Sequence, residues 1–355
     1  MRAKSLPLLV LLALAACEKN EPKPESTSKK AEAPSKVEAI DPDLAEAVAA
    51  ASVERPAGPG APPQAEGGPP ADGVFAPGGA DKELARGGMP KVTLGSVGSD
   101  PKQLLGPGKS VAKLAGTVQI AMQQDPRQGA IPVLLNVTIE PKKVEAGKDA
   151  DKGPVSQPVT VRVTGAKIDA PNVPKDVDER LAKLKGSKVE YSILPGGAGA
   201  GFRFEAPKSA PEEFQDVIRS LSDSLSLLTM PYPDKPLGAG AYFMVTSRDD
   251  FLGLDLVTYR MIKVKEVTAQ GVTLDVSTKR YAANRTFDFP GLPPNIDKTL
   301  GEFQATSEGT VQYPLGALLP TQGEISSVLA AQLGGKDPKQ RAVMQFQTRA
   351  QLDLK

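Results

Sequence analysis

Ser209 to Leu228 reads as one long amphipathic helix set between two stretches of strand-like alternation, and this constrains the chain more than any other feature. Ser209, Ala210, Pro211 and Glu212 have the pattern of a capping box, with the Ser209 hydroxyl accepting from the Glu212 N–H. Pro211 suits a first turn, where a missing N–H costs nothing. Apolar residues then recur at Phe214, Val217, Ile218, Leu221, Leu225 and Leu228, which makes one stripe at helical spacing. Gln215, Asp216, Arg219, Ser222, Asp223 and Ser224 form a polar back. Met230, Pro231, Tyr232 and Pro233 end the helix. A lone helix with such a stripe must lie against a sheet. Two roles are open to its six apolar residues: filling a core, or walling an apolar cavity.

The flanking stretches alternate with period two. Lys91 to Gly95 is a short strand. Val118, Ile120 and Met122 share a face, as do Val133, Leu135, Val137 and Ile139, and Val159, Val161 and Val163. The second half repeats the first. Val159 to Ile168 resembles Val272 to Tyr281. Each is followed by a Pro-Asn connector (Pro171-Asn172, Pro294-Asn295), a short helical pattern (Val177 to Leu184, Ile296 to Phe303), and a Gly before a strand ending in Tyr191 or Tyr313. The units are about 111–206 and 240–330, each three strands, a crossover and a hairpin. Val343 to Leu354 adds a last strand. The expected fold is mainly β (α+β): a large curved antiparallel sheet, half-barrel or clam, from two duplicated halves with the central helix packed on it.

Pro90 to Leu94, Gly186 to Val189, the capped helix, Pro236 to Tyr242, and Leu256 to Tyr259 together resemble a family of uncharacterised bacterial lipoproteins over about 90–355. Tyr242 stands where that family generally has Trp. The resemblance implies a β-rich, lipid-anchored domain and assigns no activity.

The N-terminus carries a matching signal. Arg2 and Lys4 precede an apolar run from Leu6 to Ala13, too short for a comfortable membrane span, and then Leu14, Ala15, Ala16 and Cys17. This resembles a bacterial lipoprotein signal peptide (1–16) with its lipobox. The resemblance implies cleavage before Cys17, a diacylglycerol thioether on its sulfur and usually an acyl group on its amine. Acyl chains contribute about 0.8 kcal/mol per buried methylene, so two or three hold stably to a bilayer. Glu18, rather than Asp, after the cysteine leans towards the outer membrane. Cys17 is the single cysteine of the 355 residues, so no disulfide forms within the chain.

Residues 17–89 read as the lipidated cysteine and a tether. Glu18 to Lys36 is Lys, Glu, Pro and Ser, and Pro56 to Gly79 is rich in Pro, Gly and Ala. Neither buries enough apolar surface to offset ordering entropy. Asp41 to Val53 is a marginal helix. A flexible lead of this length spans roughly 45–50 Å. Residues 90–355 form the single folded domain.

Composition removes most chemistry. Lys and Arg total 43 against 42 Asp and Glu, so nothing points to nucleic acid. His is absent, so neither a Ser-His-Asp nor a Cys-His arrangement can be assembled, and zinc lacks its favoured ligands. Ser110 and Lys113 match a Ser-x-x-Lys spacing but enter a strand instead of lying on a helix. Gly196 to Gly201 joins two strands, where a phosphate cradle needs strand then helix. Asp249, Asp250 and Asp255 have no calcium-loop spacing. Arg260, Lys263, Lys265, Lys279 and Arg280 suggest a solvated basic stripe, with headgroup contact as the alternative. The expectation is a non-catalytic, lipid-anchored envelope module, without cofactor or metal. It would bind the membrane through Cys17 and an envelope protein or polymer through its domain. The alternative is a carrier of lipid or another hydrophobic ligand, using a cavity between sheet and helix.

Overall fold

Period-two alternation becomes a mainly β architecture in the computed structural model, which describes residues 70–102, 113–123, 129–142, 156–171, 173–194, 196–251, 253–287, 297–334 and 342–355. Cys17, the Asp41–Val53 stretch, Ser110 and the Pro294-Asn295 connector lie outside the described residues. Twelve strands form one antiparallel sheet. From one edge, β1 (Lys91–Ser96) pairs with β9 (Tyr242–Phe251). Next come β10 (Leu254–Val267), β11 (Gly271–Ala282), β12 (Leu300–Pro314), β13 (Gln322–Leu333) and β14 (Ala342–Leu354). The order then returns to the first half with β3 (Leu114–Gln123), β4 (Ile131–Pro141), β5 (Gln157–Ile168), β6 (Lys188–Ile193) and β7 (Gly199–Glu205), the other edge. β2 (Ser99–Lys102) and β8 (Leu237–Ala239) form a separate two-stranded ribbon.

Among the described residues three α-helices accompany the strands: α1 (Gly79–Glu83), α2 (Lys175–Leu181) and α3 (Gln215–Leu228). The 14-residue α3 touches β3, β6, β7, β13 and β14. Side chains from β10 and β11 reach it as well: Arg260 donates to the Thr229 carbonyl at 3.0 Å, and Arg280 to Asp223 at 2.7 Å. Strands from well-separated places in the sheet order thus meet one helix. The expected capping box is not made. A 3-10 turn at Glu212–Phe214 precedes α3, and neither segment has a side-chain cap. The turn instead starts with the Phe214 N–H on the Pro211 carbonyl at 3.1 Å. Tightening the entry to 3-10 places Phe214 wholly inside the core.

The expected helical pattern at Ile296 to Phe303 is also corrected. β12 already begins at Leu300, and Leu300 and Phe303 pack with Leu329, Ala331 and Leu333. A half-buried strand satisfies that apolar spacing as well as a helix does, and burial against β13 decides between them.

The packed region also starts earlier than Pro90. The ladder between β11 and β12 stops at Arg280 and Ala305, and the chain at Asp72–Phe75 fills the opening beyond. The Ala282 N–H donates to the Gly73 carbonyl (2.9 Å), the Phe75 N–H to the Ala282 carbonyl (2.8 Å) and the Phe303 N–H to the Asp72 carbonyl (3.0 Å). Gly73 has φ 75°, and a Cβ there would fall 1.6 Å from the Phe303 carbonyl oxygen, so this passage requires glycine. Phe75 and Ala80 then pack on Val257 and Ala283, on the opposite face of β10 and β11 from α3.

Candidate functional site

The six apolar residues of the α3 stripe, Phe214, Val217, Ile218, Leu221, Leu225 and Leu228, are all buried. They face the core and border none of the clefts described below. The space lies on the polar side of the helix. A cleft of about 680 Å3 lies between α3, edge strand β7, the Arg86–Pro90 segment and the β9–β10 hairpin. A smaller pocket of about 70 Å3 adjoins it. Its helix wall is Asp216, Arg219, Ser220 and Asp223, and its strand wall sets Met122, Phe251, Ala305, Leu329 and Phe346 among Thr306, Ser307, Ser327 and Thr348. Arg219, Asp223, Phe251 and Arg280 border both spaces. A polar helix face that would ordinarily meet water meets a strand wall of mixed residues whose open surface is mostly apolar.

Strand parity explains how charged side chains arrive there. Thr258 pairs with Arg280 and Arg260 with Thr278 across β10 and β11, so the four share one face. That face turns towards α3. Lys263, Lys265 and Lys279 are exposed. The expected basic stripe is therefore not one surface, because alternation sends the arginines inward and the lysines outward. Arg260 sits at the C-terminal end of α3, donating to Thr229 and, at 3.3 Å, to the Ser226 carbonyl. Those carbonyls are the orphan acceptors and the negative pole of the helix. Burial lowers the Arg260 pKa. Burial acts the same way on Arg280, but the Asp223 carboxylate and, behind it, that of Asp249 together more than offset it, and the net shift is upward.

The other charges come as pairs. Arg219 holds Asp216 at 2.7 Å, Arg86 holds Asp250 at 2.8 Å, and Arg248 bridges Asp255 (2.8 Å) and Asp81 (2.6 Å). Hydrogen bonds to Asp255, ahead of those to Asp81, raise the Arg248 pKa. Asp249 accepts from the Ser247 hydroxyl at 2.9 Å. The three hairpin aspartates thus have arginine or serine partners, and among the described residues no cluster of carboxylates could hold a metal ion. Two of the arginines bordering these spaces rest on rings: Arg280 lies 5.3 Å from the Phe251 centroid and Arg219 lies 5.4 Å from that of Phe204. The Nε of Arg260, the Nε of Arg280 and the hydroxyls of Thr258 and Thr278 are buried with no hydrogen-bond partner among the described residues.

Gly196 to Gly201 is the turn and start of the β6–β7 hairpin, closed by the Leu194 N–H on the Ala198 carbonyl at 2.7 Å. Lys113, just before β3, pairs with Glu140 on β4 at 3.5 Å. The sequence reading missed Arg219, Asp223 and Arg280 as a group. Parity along β11 signals that Arg280 faces inward, while its partner on α3 is visible only in three dimensions.

Among the described residues no helix is long and apolar enough to cross a membrane. No protein-family model and no curated protein matches the chain.

Proposed function

We propose that this chain is a lipid-anchored protein of the bacterial envelope, tethered through acyl chains on Cys17 and most at home at the outer membrane, whose β domain binds and does not catalyse. Its ligand is an amphiphile carried between helix and sheet. The observation that carries this reading is the pairing of the polar side of α3 with the apolar wall of Met122, Phe251, Ala305, Leu329 and Phe346, with space left between them. Opposed polar and apolar walls suit a molecule that has both characters. The larger cleft, about 680 Å3, is within the usual range of small-molecule sites. An envelope protein or polymer as partner is the second possibility, favoured by the outer edge of β7, which pairs with no further strand among the described residues.

The strands β3 to β7 and β9 to β13 each run as a five-strand meander, which supports an origin by duplication. The first meander has a helix, α2, at its crossover, and most of the corresponding stretch of the second lies outside the described residues. The resemblance to bacterial lipoproteins fits the same picture.

Two measurements test the proposal. A full-length Cys17→Ser chain should leave the membrane fraction, and the proposal fails if it stays as firmly bound as the original. Native mass spectrometry of that soluble chain should reveal a co-purified amphiphile of defined mass. A chain that emerges bare, and takes up none when offered single-chain amphiphiles, is not a carrier.

A further inference from the structure

Arg219 and Arg280 stand where the two spaces meet, and they share a construction. Each guanidinium spends one terminal nitrogen on an aspartate, Asp216 or Asp223, at 2.7 Å. Each lies over one phenylalanine ring, Phe204 or Phe251. The aspartate fixes the position of the fork, and the ring fixes its plane. A guanidinium carries five N–H donors, so donors remain on both groups after the aspartate is satisfied. The aspartates offset the charge without exhausting the donors. What remains is a hydrogen-bonding geometry suited to planar or tetrahedral oxyanions.

The surroundings define the rest of the ligand. The side chains of Phe251, Leu329 and Phe346 line the smaller pocket beside the arginines and offer no hydrogen bond to a polar group. A free inorganic anion would leave that wall without a partner, and an uncharged hydrocarbon would leave the N–H groups without one. We propose that Arg219 and Arg280 clamp the oxyanion head of a single-chain amphiphile, a carboxylate or a phosphate monoester, while the first carbons of its hydrocarbon chain lie against Phe251, Leu329 and Phe346 and the remainder, too large for the pocket of about 70 Å3, lies outside it. This rests on the carrier reading above and specifies the head group.

Four probes separate the two ideas in calorimetric titrations of the full-length Cys17→Ser chain: dodecanoate, dodecyl phosphate, dodecanol and inorganic phosphate, the chains kept below their aggregation concentrations. The anionic chains should bind at least about tenfold more tightly than dodecanol, the loss expected when charge-assisted hydrogen bonds go unmade. Arg219→Gln should remove that advantage and leave dodecanol binding as it was. Arg219 is partly exposed, so this variant keeps the fold, which an unchanged unfolding midpoint verifies. Equal binding of dodecanol and dodecanoate overturns the clamp while the carrier reading stands. Inorganic phosphate binding as tightly as dodecyl phosphate overturns the assigned tail. Arg219→Gln without effect on the anionic chains overturns the role of Arg219. Failure of every chain to bind overturns the carrier reading as well.

Discussion

The Tyr313 hydroxyl donates to the Leu228 carbonyl at the end of α3 and accepts from the Met230 N–H at 3.2 Å. One phenol on β12 thus satisfies two backbone groups where the helix stops. The last carbonyls of a helix lack intrahelical partners, and here they are buried, so water cannot replace what Tyr313 supplies.

Tyr313→Phe therefore strands a buried donor and a buried acceptor without opening a cavity. The expected cost is about 1–3 kcal/mol, read as a lower urea midpoint with an unchanged slope. An unchanged midpoint would mean that the helix end finds other partners.

The Arg280–Asp223 pair leads to a different expectation, since both side chains are shielded from water. Asp223→Ala leaves a buried guanidinium uncompensated and should destabilise by about 3–5 kcal/mol. Replacing both, Arg280→Met with Asp223→Leu, removes the desolvation cost together with the attraction. It should restore stability close to the original in chemical denaturation. A double variant as unstable as Asp223→Ala would show that the pair itself, and not the orphaned charge, holds α3 in place.

Much of this was legible in the chain. Val159, Val161 and Val163 announce β5, and the same parity along Thr258, Arg260, Thr278 and Arg280 marks which charges point inward. The α3 stripe announces a buried face. What stayed hidden depends on partners distant in sequence. Asp223 and Arg280 are 57 positions apart, and nothing local couples them. Leu300 to Phe303 has helix-compatible spacing and becomes strand because β13 is beside it. The Gly- and Pro-rich composition around Gly73 resembles tether, yet those residues cross a gap in the sheet too narrow for a Cβ.

That passage makes the domain boundary testable. A chain beginning at residue 70 should melt like the full-length protein. One beginning at residue 90 loses Val74, Phe75 and Ala80 from the core and leaves Ala282 and Phe303 without their backbone partners. Each large apolar side chain contributes about 1.5–3 kcal/mol on burial, so a fall of several degrees in melting temperature is expected. Gly73→Ala should reproduce part of that loss at full length. Equal melting of the two truncated chains would return 70–89 to the tether.

Alkaline pH should unfold the domain through its tyrosines. Burial raises the pKa of Tyr191 and of Tyr313 above the ordinary value near 10. With the folded pKa higher, the folded state keeps its phenolic protons where the unfolded state gives them up. Their contribution is complete below about pH 10 and is lost as pH rises through the raised folded values. Phenolate absorbance and circular dichroism recorded on one sample should therefore change together, the buried phenols ionising as the strands are lost. Phenolate signal from Tyr191 and Tyr313, identified by comparison with their Phe variants, appearing near pH 10 while the strand signal persists would mean that water already reaches those two hydroxyls in the fold.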